Sequence, residues 1–138
     1  MREILFRGKT EEGKWLEGYL HKIDGIGKGY TAYAIQVQDI NTRMCRPHSH
    51  EVLPETIGQD TGLTDKNGKK IFEGDIVMGR FLHSLPINAV IAFRNGAFGL
   101  LWDRAGAETF DAFTSLCNIE YEVIGNIHDN PELLEVEE

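Results

Sequence analysis

Cys45, His48, His50 and Glu51 come closest, by type and spacing, to a set of residues that could do chemistry. In an extended segment residues two apart share a face, so His48 and His50 would stand side by side, and imidazole and thiolate are both good zinc donors. A closed structural zinc site needs four ligands, however. No C-x-x-C pair accompanies these residues, and Pro47 interrupts the segment. The segment therefore reads as a polar loop without metal or other cofactor. The alternative is a small metal-dependent enzyme built on Cys45, His48 and His50. Ser49 lies between the two histidines, but neighbours on a strand point to opposite faces, so both imidazoles would point away from its hydroxyl. The other serines, Ser84 and Ser115, lie in no G-x-S-x-G elbow, and Cys117 sits in an apolar stretch that favours burial. No residue is expected to be catalytic, and the enzyme reading is the weaker one.

Other candidates dissolve under the same scrutiny. Gly25, Gly27 and Gly29 lack both the G-x-x-x-x-G-K-[ST] pattern and a following helix, so they read as a loop rather than a phosphate cradle. Asp60 and Asp75 suggest acid chemistry only until their neighbours are considered. Gly74 offers an unusual backbone angle, and Asp75 at a strand start can accept nearby backbone N–H groups. Trp15, Tyr19, Tyr30 and Tyr33 form an aromatic set. Trp15 and Tyr19, four apart, share a strand face, whereas Tyr30 and Tyr33 fall on opposite faces. The set reads chiefly as core, with a surface for a partner as the other possibility.

The elements that must position these residues are short and β-type. Asn67-Gly68 and Asn95-Gly96 are hairpin signals, because a type I′ turn needs positive φ at both central residues. Ile87, Ala89, Ile91 and Phe93 alternate before the second turn, and Phe98, Leu100 and Trp102 alternate after it. Further strands are predicted over Glu3–Arg7, Lys14–Leu20, Tyr30–Gln38, Asp75–Leu82 and Glu120–His128. The last of these places Tyr121, Val123, Gly125 and Ile127 on one face. Leu53–Gly68, with Pro54, Gly58 and Gly62, reads as a connector. The segment from Phe110 to Cys117 is compatible with a helical turn or a strand. Asn130 as cap and Pro131 at the first helical position predict a short C-terminal helix reaching Leu134. The whole reads as mainly β, an N-terminal β-rich part over 1–58 followed over 59–138 by a connector and a small barrel. Ile91, Phe93, Phe98, Val123 and Ile127 are expected inside that barrel.

Bulk properties bound the function. At 138 residues and 15.6 kDa the chain is long enough to bury an autonomous core without metal or disulfide support. Its two cysteines are expected to be reduced. With 14 basic and 22 acidic residues the net charge is −8, and residues 70–138 hold 4 basic against 12 acidic groups. Nucleic-acid binding, which draws on Lys and Arg clusters, is not expected. A narrow basic stripe from Arg2, Arg7, Lys9 and Lys14 is the loophole. No apolar run approaches a membrane span, and only Ile4 to Phe6 are consecutively apolar near the N-terminus, so a cytoplasmic protein is expected. Ile4–Phe6, read as an incompletely protected edge, and the apolar residues Phe81, Leu82, Leu85 and Ile87 around Pro86 suggest a homo-oligomer.

Two stretches resemble a known family. ETIGQDTGLTDKNGKKIFEGDIV over 55–77 and EVIGNIHDNPELL over 122–134, with REILFRGK near the start, are similar to the YopX family of phage and prophage proteins. The resemblance implies a mostly β protein whose C-terminal part is an SH3-like barrel, made in a bacterial cytoplasm. It implies no reaction. The motif residues it marks, Gly58, Gly62, Asn67, Gly68, Gly74, Asp75, Gly125, Asn126 and Pro131, are expected to be structural. The function expected is therefore a non-catalytic module that binds or regulates another protein.

Overall fold

The computed structural model describes residues 3–24, 29, 31–38, 47–80, 87–104, 106–113 and 120–134. The protein is mainly β, with two antiparallel sheets. It divides into two compact units, Met1–Asp60 and Thr61–Glu138. No helix among the described residues is long and apolar enough to cross a membrane.

The first unit is built from β1 (Phe6–Lys9), β2 (Trp15–Asp24), β3 (Thr31–Gln38) and β4 (Pro47–Glu51), followed by a 3-10 turn at Pro54–Thr56. The spatial order is β4-β3-β2-β1, with the start of β5 (Gly58–Thr64) on the far side of β1. Alternation in β2 drives the packing. Leu16 and Leu20 turn toward Ile35 and Val52, and Phe6, Tyr33, Val37 and Ile57 complete this core. Thr56 closes the turn beneath it, its hydroxyl donating to Leu53 O (2.6 Å) and accepting from Lys9 N (2.8 Å).

The segment read as a connector is the first correction. Gly58–Thr64 is a strand that pairs with β1, Phe6 opposite Gln59 and Arg7 opposite Gly58. Its composition carries almost no β propensity, so the pairing partners impose the conformation. The same pairing covers the Phe6 end of the edge expected at Ile4–Phe6, since β1 has β2 on one side and β5 on the other, whereas Ile4 precedes β1 and is 54% exposed.

In the second unit β5 continues beside β6 (Lys70–Phe72), and a five-stranded sheet follows in the order β10-β9-β8-β7-β11. Its strands are β7 (Asp75–Arg80), β8 (Ile87–Arg94), β9 (Ala97–Arg104), β10 (Ala107–Ala112) and β11 (Glu120–Asn126). Ile71, Val77, Ala89, Ile91 and Leu100 form the core, with Trp102, Phe113, Tyr121 and Val123 packed against it. Residues 81–86, with Phe81, Leu82 and Leu85, lie outside the described residues, as do 114–119 with Cys117.

Two residues expected inside are not. Phe93 is 50% exposed, because it stands next to the Asn95-Gly96 turn, beyond the reach of the core, and packs edge-to-face on its cross-strand partner Phe98 at 4.9 Å. Ile127 is 37% exposed. The register of β11 on β7 shifts between Val123 and Gly125, and the extra residue reverses the alternation on which the expectation rested.

The two Asn-Gly turns also differ. Asn95 and Gly96 have φ of 52° and 80°, as a type I′ turn requires. Of the other pair only Gly68 has positive φ (80°), and its N–H donates to Asp65 O at 3.0 Å, giving a longer hairpin loop. The C-terminal element is a single 3-10 turn, Pro131–Leu134, rather than an α-helix. Four residues cannot repay the cost of an α-helical nucleus. Asn130, moreover, turns its side chain back toward Asn126 N (3.4 Å) instead of capping forward.

Candidate functional site

One face of β2 carries Leu16 and Leu20 into the core, so the other presents Trp15, Glu17, Tyr19, His21 and Ile23 in a row. Register adds neighbours to that row. Arg7 and Lys9 of β1 stand opposite Glu17 and Trp15, Gln36 of β3 is opposite Tyr19, and Ser49 of β4 is opposite Gln36. The Arg7 guanidinium lies 4.9 Å from the centre of the Trp15 ring and the Lys9 ammonium 5.9 Å, a pair of cation–π contacts that tie the indole to β1. His21 Nε2 and Gln36 Oε1 are hydrogen-bonded at 2.6 Å.

Tyr19 is 43% exposed and Ile23 38%, so the aromatic set read as core is divided. Tyr33 packs on the core, Tyr19 faces outward, Trp15 is half-buried, and Tyr30 lies outside the described residues. The Tyr19 hydroxyl donates to Glu3 Oε1 at 3.2 Å. The Glu3 charge and this bond hold the phenol above its ordinary pKa, so it stays a neutral donor. The row offers stacking, apolar contact and hydrogen bonding, and contains no nucleophile held by a base.

His48 and His50 stand opposite Val37 and Ile35 on β4, share one face and are exposed. His50 borders an open groove of about 480 Å³ with Glu11, Glu12, Tyr33 and Glu51. Cys45 lies outside the described residues. Among the described residues no group of three or more His, Cys, Asp or Glu side chains is placed to hold a metal ion.

The motif residues occupy special backbone positions. Gly62, Gly68 and Gly74 have φ of 82°, 80° and 91°. Gly58 is a buried strand residue opposite Arg7. Gly74 N donates to Ile91 O (2.8 Å), while Asp75, 1% exposed, accepts Phe72 N at 2.8 Å. Asn126 Oδ1 accepts from His128 N (3.0 Å) and Asp129 N (2.9 Å) and so shapes the turn that leads to Pro131. Any Cβ on Gly125 would meet Asn130, 2.9 Å from its Cγ.

Two features escaped sequence reasoning. Asp65, buried beside Asn67, accepts three backbone N–H groups, and its place two residues before Asn-Gly was the only available sign. Asp111 accepts Trp102 Nε1 at 2.7 Å. Burial, and secondarily the Asp111 charge, pushes Tyr121 up to about 12, and among the described residues its buried hydroxyl has no hydrogen-bond partner.

The sequence model of the YopX protein family matches residues 5–135. No curated protein matches the chain. Among solved structures, the crystal structure of protein EF1440 from Enterococcus faecalis is similar at 28% identity. It covers 96% of this chain and 99% of that one, with a TM-score of 0.51.

Proposed function

The chain belongs to the YopX family, and on that premise we propose that it is a non-catalytic module of phage or prophage origin that binds another protein in the bacterial cytoplasm. The observation that carries this reading is the outward row of β2, where Tyr19 and Ile23 stay exposed on a strand paired with β1 and β3, along from the stacked Trp15. Aromatic residues on a rigid surface supply contact area at little entropic cost, as interface anchors do. Nucleic acid is not the partner in this reading, because the second unit holds 6 basic against 13 acidic residues and Arg7 is engaged with Trp15.

In the same reading the second unit is a small barrel of SH3-like type. Phe113, which follows β10, meets Tyr121 of β11 edge-to-face at 5.8 Å, although β10 and β11 end the five-strand order on opposite sides. The approach of the two ends of the order supports this reading, because closure of a barrel brings its end strands together.

The test is affinity capture from infected or lysogenic bacteria with the native chain and with a Tyr19→Glu/Ile23→Glu double variant. The expected result is a protein retained by the first and lost by the second, with both chains melting alike. Equal capture by the two chains would remove the β2 row from the interface.

We also propose self-association, now through β4, which stands last in the described strand order of the first sheet. Light scattering should give a mass above 15.6 kDa that rises with concentration. A mass fixed at the monomer value throughout would discard the idea.

A further inference from the structure

A second groove, of about 610 Å³, lies in the second unit between β8 and β9 on one side and the C-terminal 3-10 turn on the other. Val90 and Leu101, directly opposite each other in the β8–β9 register, form its apolar floor. Leu133 and Leu134 form a wall, held in place by Asn88 Nδ2 donating to Leu133 O at 2.9 Å. Leu134 is 38% exposed where it borders the groove.

The rim carries a feature that stability alone does not favour. Asp103 of β9 and Glu108 of β10 are direct cross-strand partners, both exposed and both lining the groove. Like charges in that relation destabilise an antiparallel pair. Among the described side chains Arg94 offsets them in part, through an exposed contact to Glu108 at 3.6 Å. The pair also sits in a unit with 6 basic and 13 acidic residues, whose field adds to its own.

We propose that this groove docks a basic, apolar-anchored segment of a partner protein. One apolar side chain of that segment lies between Val90, Leu101 and Leu134, and a flanking Lys or Arg is held by Asp103 and Glu108. The incoming cation relieves the like-charge pair, and the apolar anchor covers the exposed part of Leu134. The site is separate from the β2 row and does not depend on it.

The experiment is selection of random 12-residue peptides on the full-length chain, followed by binding of a synthetic winner. Enriched sequences should carry two or more Lys or Arg close to a Leu, Ile, Phe or Met. An Asp103→Lys/Glu108→Lys variant should weaken binding about tenfold, and Leu134→Ala should weaken it as well. Added salt should have the same direction of effect. Tyr19→Glu/Ile23→Glu should leave it unchanged, which separates this site from the β2 surface. Both rim carboxylates are exposed, so the charge-reversed chain should melt like the native one. The proposal is overturned by an absence of enrichment over bare support, by enrichment of acidic peptides, or by equal binding to the charge-reversed chain. It is equally overturned if the charge reversal abolishes self-association, because the occupant would then be a second copy.

Discussion

Replacing Asp65 with alanine should lower the stability of the second unit at neutral pH by about 3 kcal/mol, because hydrogen bonds to a charged group contribute more than neutral ones and their buried donors would be left unmet. Asp65 is 7% exposed. Its Oδ1 accepts Asn67 N (2.8 Å) and Lys69 N (2.9 Å), closing the β5–β6 hairpin loop upon itself. Its Oδ2 accepts Val123 N (3.0 Å), 58 residues along the chain, and beside it Lys66 N donates to Tyr121 O at 3.0 Å. One carboxylate therefore fixes a turn and ties that turn to β11.

Burial alone would raise the pKa of this carboxyl. The three N–H donors and the charge of Lys69 outweigh burial and hold it below the ordinary aspartate value. A lowered folded value means that the unfolded chain takes up the proton first as the pH falls. The stabilisation is present above about pH 4 and is lost as the pH drops through the folded value. Urea unfolding followed through Trp102 in a Trp15→Phe background should show a large gap between native chain and Asp65→Ala at pH 7, narrowing in strong acid. Asp65→Asn should recover only part of the loss, since an amide can accept at one end but presents N–H donors to another N–H at the other. An Asp65→Ala chain as stable as the native one at pH 7 would end this account.

Gly18→Ala should cost the first unit about 3 kcal/mol, the upper range for overpacking, because the obstacle is backbone rather than a side chain that can swing aside. An added Cβ would run into the carbonyl oxygen of Gln36, and it would lie 2.9 Å from the carbonyl carbon and 3.2 Å from Ile35 Cγ2. Gln36 is the partner of the next residue, Tyr19, so the collision falls where the β2–β3 ladder begins. Relief requires the strands to part, which also loosens Ile35, fully buried in the core.

Gly13→Ala is the matched comparison. Gly13 has φ of 88°, and a Cβ there would meet only Lys9 Cε at 3.8 Å, so the change costs roughly 1 kcal/mol of backbone strain. Trp15 fluorescence in a Trp102→Phe background reads both variants. Equal losses at the two glycines would show that steric closeness at Gly18 is not what requires glycine there.

Where alternation and turn chemistry are both strong, the sequence was nearly sufficient. Ala89 and Ile91 are buried as the period of two requires, and Asn95-Gly96 makes its turn. Legibility failed where a residue's neighbours come from elsewhere in the chain. Gly58–Thr64 has little intrinsic β character, and its pairing with β1 makes it a strand. Ile127 follows an alternation that a bulge interrupts, and Gly125, next to Ile124, is the one local sign of it. At the candidate surface, the shared face of Trp15 and Tyr19 followed from their spacing. The arrival of Arg7 on the indole depended on a β1–β2 register that no local pattern specifies.

The sequence by itself determined the β class, the central hairpin and the family, because each rests on interactions between residues close along the chain: alternation, turn torsions and contiguous motifs. Only the tertiary structure decided that Asp65 accepts an N–H from Val123, that Tyr19 faces outward, and that Asp103 and Glu108 meet at the rim of a groove floored by Val90 and Leu101. These depend on strand order and register. Many pairings of short strands satisfy the same local preferences, and the burial of Ile35 and Ile91 in their respective cores selects among them.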